Sequence, residues 1–283
     1  MTAAQETDNR LIQDILAARE RIGRAVVIGV CGAQGSGKST TAGRLAAVLG
    51  SRGQPTAVLS IDDFYLTRRE RLELARSTHP LLVTRGVPGT HSVELAMRTL
   101  GNLRAARAGD LVPIPAFDKT RDDRVPESEW TSHRGPVEVV LLEGWCVGAR
   151  PQPADALVAA VNDLERDEDA DGRWRRYVNG QLAGPYADLF ALLDLRILLR
   201  APDFDTVYSW RAQQERGLKR TESSMPPMND RELRRFIAHY ERLTRWILLD
   251  EPADIVVHLD SDRVPIEYCS KKMSSRCSTR RAG

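Results

Sequence analysis

Residues 25–41 read AVVIGVCGAQGSGKSTT: an apolar run too short to span a membrane meets a glycine-rich turn, and a Lys-Ser-Thr follows that can open a helix. Gly32, Gly37, Lys38 and Ser39 fit G-x-x-x-x-G-K-[ST], the phosphate-binding loop. Glycines let the backbone take positive φ and bring its N–H groups against phosphate oxygens, and the helix N-terminus adds partial positive charge. Gly32, Ala33, Gln34, Gly35, Ser36, Gly37, Lys38, Ser39 and Thr40 are therefore the candidate nucleotide contacts. Lys38 is expected at the β- and γ-phosphates and the Ser39 hydroxyl on Mg²⁺. A glycine-rich turn with a surface lysine is the competing reading, and the strand-like run before it and helical pattern after it (Ala42, Leu45, Ala46, Leu49) oppose that.

Outward from the loop, residues 7–22 place Leu11, Ile12, Ile15, Leu16 and Ile22 at helical spacing, an amphipathic helix packed on the domain. On the other side, 56–61 is a short apolar strand ending in Asp62-Asp63-Phe64-Tyr65, and 137–142 (VEVVLL) ends in Glu143-Gly144-Trp145. Strands alternating with helices predict a parallel sheet, which binds ligands beyond its strands' carboxyl ends. That puts Asp62, Asp63 and Glu143 beside the loop. Glu143 and Asp62 are the candidate carboxylates for the metal; Asp62 is the expected base, with Asp63 its competitor, and helix capping is the alternative for each.

Residues 66–135 are charged and loop-rich, with a helix expected from Ser92 to Ala108 and a cluster of Lys and Arg that suits an anionic acceptor. Between 155 and 193 the chain reads as helical, broken near 167–172; there Asp167, Asp169, Asp171 and Gly172 match the start of a calcium loop, but Val178 stands where a glutamate is required. A fourth strand over 192–199, a helix from 204 to about 219 carrying Arg211 and Arg216, an amphipathic helix over 230–249 and a fifth strand over 253–259 complete the pattern. Arg211 and Arg216 are expected to close over polyphosphate, with solvent-facing salt bridges as the alternative.

The chain has 283 residues, 42% hydrophobic, with 41 basic and 39 acidic side chains; that near balance argues against nucleic acid as partner. The first 25 residues hold Glu6, Asp8, Asp14 and Glu20 with no continuous apolar stretch, which argues against a signal peptide, and no segment approaches a membrane span. Cys31, Cys146, Cys269 and Cys277 show no metal spacing and read as reduced thiols of a cytoplasmic protein. The expected organisation is an N-terminal helix over 1–24, a phosphate-loop domain over 25–262 with an acceptor-binding insertion (66–135) and a lid (about 204–228), and a disordered basic tail over 263–283, where the last fourteen residues carry five basic side chains and no acidic one.

With Gly32 to Ser39, Ser60-Ile61-Asp62-Asp63-Phe64-Tyr65, Arg85-Gly86 with Pro88-Gly89-Thr90-His91, Phe117-Asp118-Lys119, Asp123-Arg124, Glu143-Gly144-Trp145, and Trp210-Arg211 with Gln214-Glu215 in this order, the chain resembles the P-loop glycerate kinases of the D-glycerate 3-kinase type. These belong with uridine kinase, phosphoribulokinase and pantothenate kinase, and the likeness covers about residues 24–260. It implies an α/β, three-layer P-loop kinase fold with a central, mostly parallel five-stranded sheet and a helical lid. It also implies ATP and Mg²⁺ and phosphorylation of a small hydroxylated acceptor, with Asp62 as base and lid arginines in the region of Arg211 and Arg216. The expected acceptor contacts are Asp63, Tyr65, Arg85, His91, Lys119 and Arg124. The family often has an acidic residue directly after Gly-Thr-His, where this chain has Ser92. A nucleoside or pantothenate kinase of the same group, and an ATP-binding switch or assembly protein without catalysis, are the alternatives.

Overall fold

The computed structural model describes residues 2–217 and 228–271, the side chain of Arg216 excepted. In chain order its elements are α1 (Ala3–Ile22), β1 (Val26–Gly32), α2 (Lys38–Ser51), β2 (Thr56–Ser60), α3 (Arg68–Ser77), α4 (Val93–Ala105), β3 (Leu111–Ile114), β4 (Phe117–Asp118), β5 (Asp123–Arg124), β6 (Thr131–Arg134) and β7 (Val139–Gly144). Then come α5 (Asp163–Glu168), α6 (Arg173–Ala183), α7 (Pro185–Ala191), β8 (Leu195–Arg200), α8 (Phe204–Gly217), α9 (Asp230–Asp250), β9 (Ile255–Leu259) and β10 (Pro265–Ser270).

All seven residues of β1 are buried, as expected of a strand covered on both faces. It sits between β8 and β7 in a sheet of order β10-β9-β8-β1-β7-β2, parallel except for β10. Alternation along β1 sorts its side chains into two cores. Val26, Ile28 and Val30 pack with Leu11 and Ile15 of α1, Leu45 of α2 and Trp210 of α8. Val27 and Cys31 pack on the other face with Leu100 of α4, Trp174 of α6, Tyr186 of α7 and Leu243 of α9. These are the three layers of an α/β fold.

The sheet has six strands where five were expected. The sixth comes from the segment read as a disordered tail: β10 folds back antiparallel on β9, with Cys269 opposite Val256. Asp260 builds the reversal, its carboxylate accepting from the N–H groups of Asp262 and Val264. Tyr268 then donates its hydroxyl to Asp14 of α1 and lies under the Arg10 guanidinium, 3.9 Å from the ring centroid. The basic residues that dominate the end of the sequence hid this short strand; residues 272–283 lie outside the described residues.

The insertion also holds more order than its composition suggested, with α3, α4 and two small antiparallel pairs, β3–β6 and β4–β5. Ser92 stands at the N-cap of α4 without a side-chain cap bond, and its N–H donates to Phe64 O at 2.7 Å instead. Asp169, at the calcium-like run, is buried and taken by Arg175 at 2.9 Å, with its oxygens also capping α6 at Trp174 and Arg175. No helix among the described residues is long and apolar enough to cross a membrane.

Candidate active site

At the carboxyl edge of the sheet β1 runs into the loop. Gly35 (φ 77°) and Gly37 (φ 84°) take the left-handed conformation, and Gly37 caps α2, so the helix begins at Lys38 with its N–H groups turned to the loop. A Cβ on Gly35 would lie 2.7 Å from Trp210 Cβ, so glycine is needed there for space as well as for φ. Gln34 Oε1 and Ser36 Oγ are buried in the loop without partners.

Register brings the neighbouring strand ends to the same level. Glu143 pairs with Val30 of β1 on one side and Ser60 of β2 on the other, two residues short of Gly32 and two short of Asp62. Ser39 Oγ donates to Glu143 Oε1 at 2.8 Å, while Glu143 Oε2 is buried with no partner. A buried, unsatisfied carboxylate oxygen beside a hydroxyl is a hard-oxygen donor pair that fits a magnesium ion, which takes one or two protein ligands and completes its shell with phosphate and water.

Asp62 stands in the 3-10 turn Ile61–Phe64 that follows β2. Tyr65 donates its hydroxyl to Oδ1 at 2.8 Å and Lys119 reaches Oδ2 at 2.7 Å. Burial pushes this carboxyl up, but Lys119, with Lys38 behind it, more than offsets that and holds it below the usual carboxylate range. Asp63 goes the other way. Burial is the largest cause, the Phe117 N–H that it accepts at 3.3 Å opposes, and repulsion from Asp62 and Glu143 adds, raising it to about 6.

The family model of the methylmalonyl-CoA mutase-associated GTPase MeaB matches residues 2–65, which hold α1, the phosphate loop, Asp62, Asp63 and Tyr65 but none of the insertion. The uncharacterized kinase mug58 of Schizosaccharomyces pombe is 35% identical over 265 residues, covering 86% of this chain and 91% of mug58. The chloroplastic D-glycerate 3-kinase of Arabidopsis thaliana is 31% identical over 222 residues, 76% of this chain but 46% of the longer plant protein. A D-glycerate 3-kinase structure from Cryptococcus neoformans superposes with a TM-score of 0.77 at 25% identity, covering 93% of this chain and 99% of that one. The chain belongs to the D-glycerate 3-kinase family of P-loop kinases. It is an ATP-dependent small-molecule kinase, a phosphotransferase with an alcohol group as acceptor.

The kinase's acceptor-side residues are brought together only in part as expected. Tyr65, His91, Asp63 and Lys119 surround Asp62: Tyr65 stacks on His91 with centroids 4.5 Å apart and meets Phe117 edge-on at 5.2 Å. Arg85 is held by Asp122 and sits 5.5 Å over the Phe117 ring. Arg124 spends its guanidinium on the carbonyl of Tyr65, at 2.8 and 3.2 Å, so its first role is to fix the Asp62 turn. Arg211 pairs with Glu215 at 2.8 Å, a salt bridge but a largely buried one rather than the solvent-facing pair of the alternative, and its charge still reaches Tyr240 beside the loop. The side chain of Arg216 lies outside the described residues.

Three residues of the kinase escaped the sequence reading. Arg71 of α3, 1% exposed, gathers Leu66 O, Val83 O and Asp122 O and pairs with the Asp122 carboxylate, so it anchors the partner of Arg85. Tyr240 of α9 donates to Arg85 O at 3.1 Å, and Tyr186 of α7 accepts from Gly89 N–H at 3.0 Å. All three sit in amphipathic helices where a buried polar group looks like any surface residue, and only the tertiary fold supplies its partner. A 980 Å³ groove between α5, α8 and α9 contains none of the phosphate-loop residues; it is lined by charges already paired, such as Arg235 with Glu168 and Arg245 with Glu241.

Proposed function

We propose that this kinase transfers the γ-phosphoryl group of Mg²⁺-ATP to a hydroxyl of D-glycerate or a closely related small hydroxy acid. The observation that carries the reading is the position of Asp62, at the meeting point of the phosphate loop (Lys38), the insertion (Lys119) and Tyr65. Ser39 and Glu143 would hold the magnesium ion, which supplies neutralisation of the phosphate charge. Lys38 binds the phosphates. Asp62, ionised at neutral pH, accepts the hydrogen bond of the attacking hydroxyl and aims its oxygen; a loose transition state does not need that hydroxyl fully deprotonated beforehand.

A small carboxylate suits the rest of the pocket. Lys119 and Arg85 are each matched by a single carboxylate, Asp62 and Asp122, and an acidic acceptor competes for the same charge-assisted bonds. A nucleoside would need a free aromatic face. Tyr65 is covered by His91 and Phe117, and Trp130 directs its indole N–H to Val125 O at 2.8 Å within its own segment. Two relatives named as D-glycerate 3-kinases support the acid, and buried Cys31 and Cys146 suit a reducing, cytoplasmic setting. Arg211 reaches phosphate only by leaving Glu215, a step for lid closure.

The test is ATP consumption by the purified protein with Mg²⁺ against D-glycerate, L-glycerate, uridine, cytidine, pantothenate and ribulose 5-phosphate. Turnover dependent on D-glycerate is expected. Turnover with a nucleoside or pantothenate instead would move the substrate, and none with any acceptor would favour a non-catalytic nucleotide binder.

A further inference from the structure

Residues 85–91 form a wall of the acceptor site whose hydrogen-bond capacity the reaction scheme above leaves unused. The backbone fixes this wall to the end of β2. Leu66 N–H donates to Thr90 O at 2.9 Å, Ser92 N–H to Phe64 O at 2.7 Å, and Tyr65 bridges His91 antiparallel. His91 is thereby laid flat on Tyr65, their planes 21° apart, and Tyr65 in turn holds Asp62. The imidazole Nδ1 lies 2.5 Å from the hydroxyl of Tyr186 on α7. Both side chains are buried, His91 at 5% exposure and Tyr186 at 0%.

Counting hydrogens assigns the tautomer. Tyr186 Oη already accepts the N–H of Gly89 at 3.0 Å, and the phenol has a single proton to give. Its partner is His91 Nδ1, so that nitrogen accepts. A protonated Nδ1 would leave the Tyr186 proton buried with nowhere to go. Burial acts in the same direction, pushing His91 down to about 4 and Tyr186 well above the ordinary phenol value. A neutral imidazole that accepts at Nδ1 carries its hydrogen on Nε2. That Nε2 is buried without a partner in the protein. Asp62 is the charged group whose field acts on the ring.

We propose that Tyr186 is a positioning residue that locks His91 as the Nε2–H tautomer, and that this N–H donates to an oxygen of the acceptor beside Asp62. A neutral donor there grips the acceptor without adding another cation next to Asp62 and Lys119, so acceptor affinity rises while Asp62 keeps its orientation. The proposal rests on the kinase reading for the identity of the bound molecule, while the tautomer is independent of it.

Long-range ¹H–¹⁵N spectra of the uniformly labelled enzyme at pH 7 read the tautomer directly, with His91→Gln identifying the ring by loss of its signals. Nδ1 is expected unprotonated and Nε2 protonated, and a protonated Nδ1 in the wild type overturns the proposal without any variant having to fold. Tyr186→Phe is expected to mix the tautomers and raise the acceptor KM about tenfold, leaving nucleotide KM unchanged. His91→Gln, which keeps an amide N–H near the Nε2 position, should retain acceptor KM better than His91→Asn. A folded Tyr186→Phe enzyme with wild-type acceptor KM contradicts the proposal. Failure of the kinase reading looks different: no acceptor supports turnover, whatever the spectra show.

Discussion

Asp62 and Asp63 are adjacent in sequence and opposite in electrostatics, because Lys119 outweighs burial at the first, while at the second burial prevails and repulsion from Asp62 and Glu143 adds to it. If Asp62 orients the hydroxyl, the pH profile of kcat/KM contains no inflection near 6 that Asp63→Asn removes. A wild-type acid limb at about 6 that vanishes in that variant would transfer the role to Asp63. Glu143→Gln removes the orphaned oxygen beside Ser39, and the expected result is a Mg²⁺ requirement raised by about 10–100-fold with the fold intact, read by magnesium titration of the rate. At this scale the sequence was informative wherever a motif is local: the phosphate loop, Asp62 and Glu143 all stand where strand-end reasoning puts them. Arg85 and Arg124 were legible as cations only. Their partners, Asp122 and the Tyr65 carbonyl, are joined by tertiary contacts that no spacing rule encodes.

Between elements, the contact that matters most for nucleotide binding is α8 against the loop. Trp210, 1% exposed, backs Gly35 and anchors its indole N–H on Ser261 O at 2.6 Å, so the loop, the lid helix and the turn before β10 are one packed unit. Gly35→Ala combines a left-handed φ with a 2.7 Å clash, and the strain of about 1–2 kcal/mol or more predicts ATP affinity weakened at least about tenfold by calorimetry. The element missed in the sequence, β10, is tested by truncation after residue 262. Losing the Tyr268 contacts to Asp14 and Arg10 and the cover on β9 should lower Tm by several degrees, at about 2–4 °C per kcal/mol for a chain of this size. A short amphipathic edge strand among basic residues has too weak a period to outweigh its charge.

Across the whole molecule, stability has a titrating component that the site shares. His91 and His239 are both buried neutral, each pushed down to about 4 chiefly by burial. Below the ordinary value of 6.5 the unfolded chain takes up protons that the folded chain refuses. Their contribution is therefore complete above 6.5 and is lost as pH falls toward 4, at roughly 3 kcal/mol each. Thermal melts from pH 7.5 to 4.5 should show Tm falling through this window, and His239→Gln should flatten part of the slope. The layered α/β plan was readable because alternation along β1 and the helical periods of α1, α2 and α9 agree with one another; the ordering of the insertion was not, since it depends on buried Arg71 and on Tyr186, far apart in sequence from what they hold. The central claim, that Asp62 makes this phosphate loop a small-acid kinase, is tested most directly by Asp62→Asn, with D-glycerate-dependent ADP release and ATP affinity measured on the same preparation. The account predicts turnover by the wild type, a loss of about 10²–10⁴-fold in kcat in the variant, and unchanged ATP binding. Wild-type ATP binding without glycerate-stimulated turnover, or a variant as active as the wild type, would contradict it.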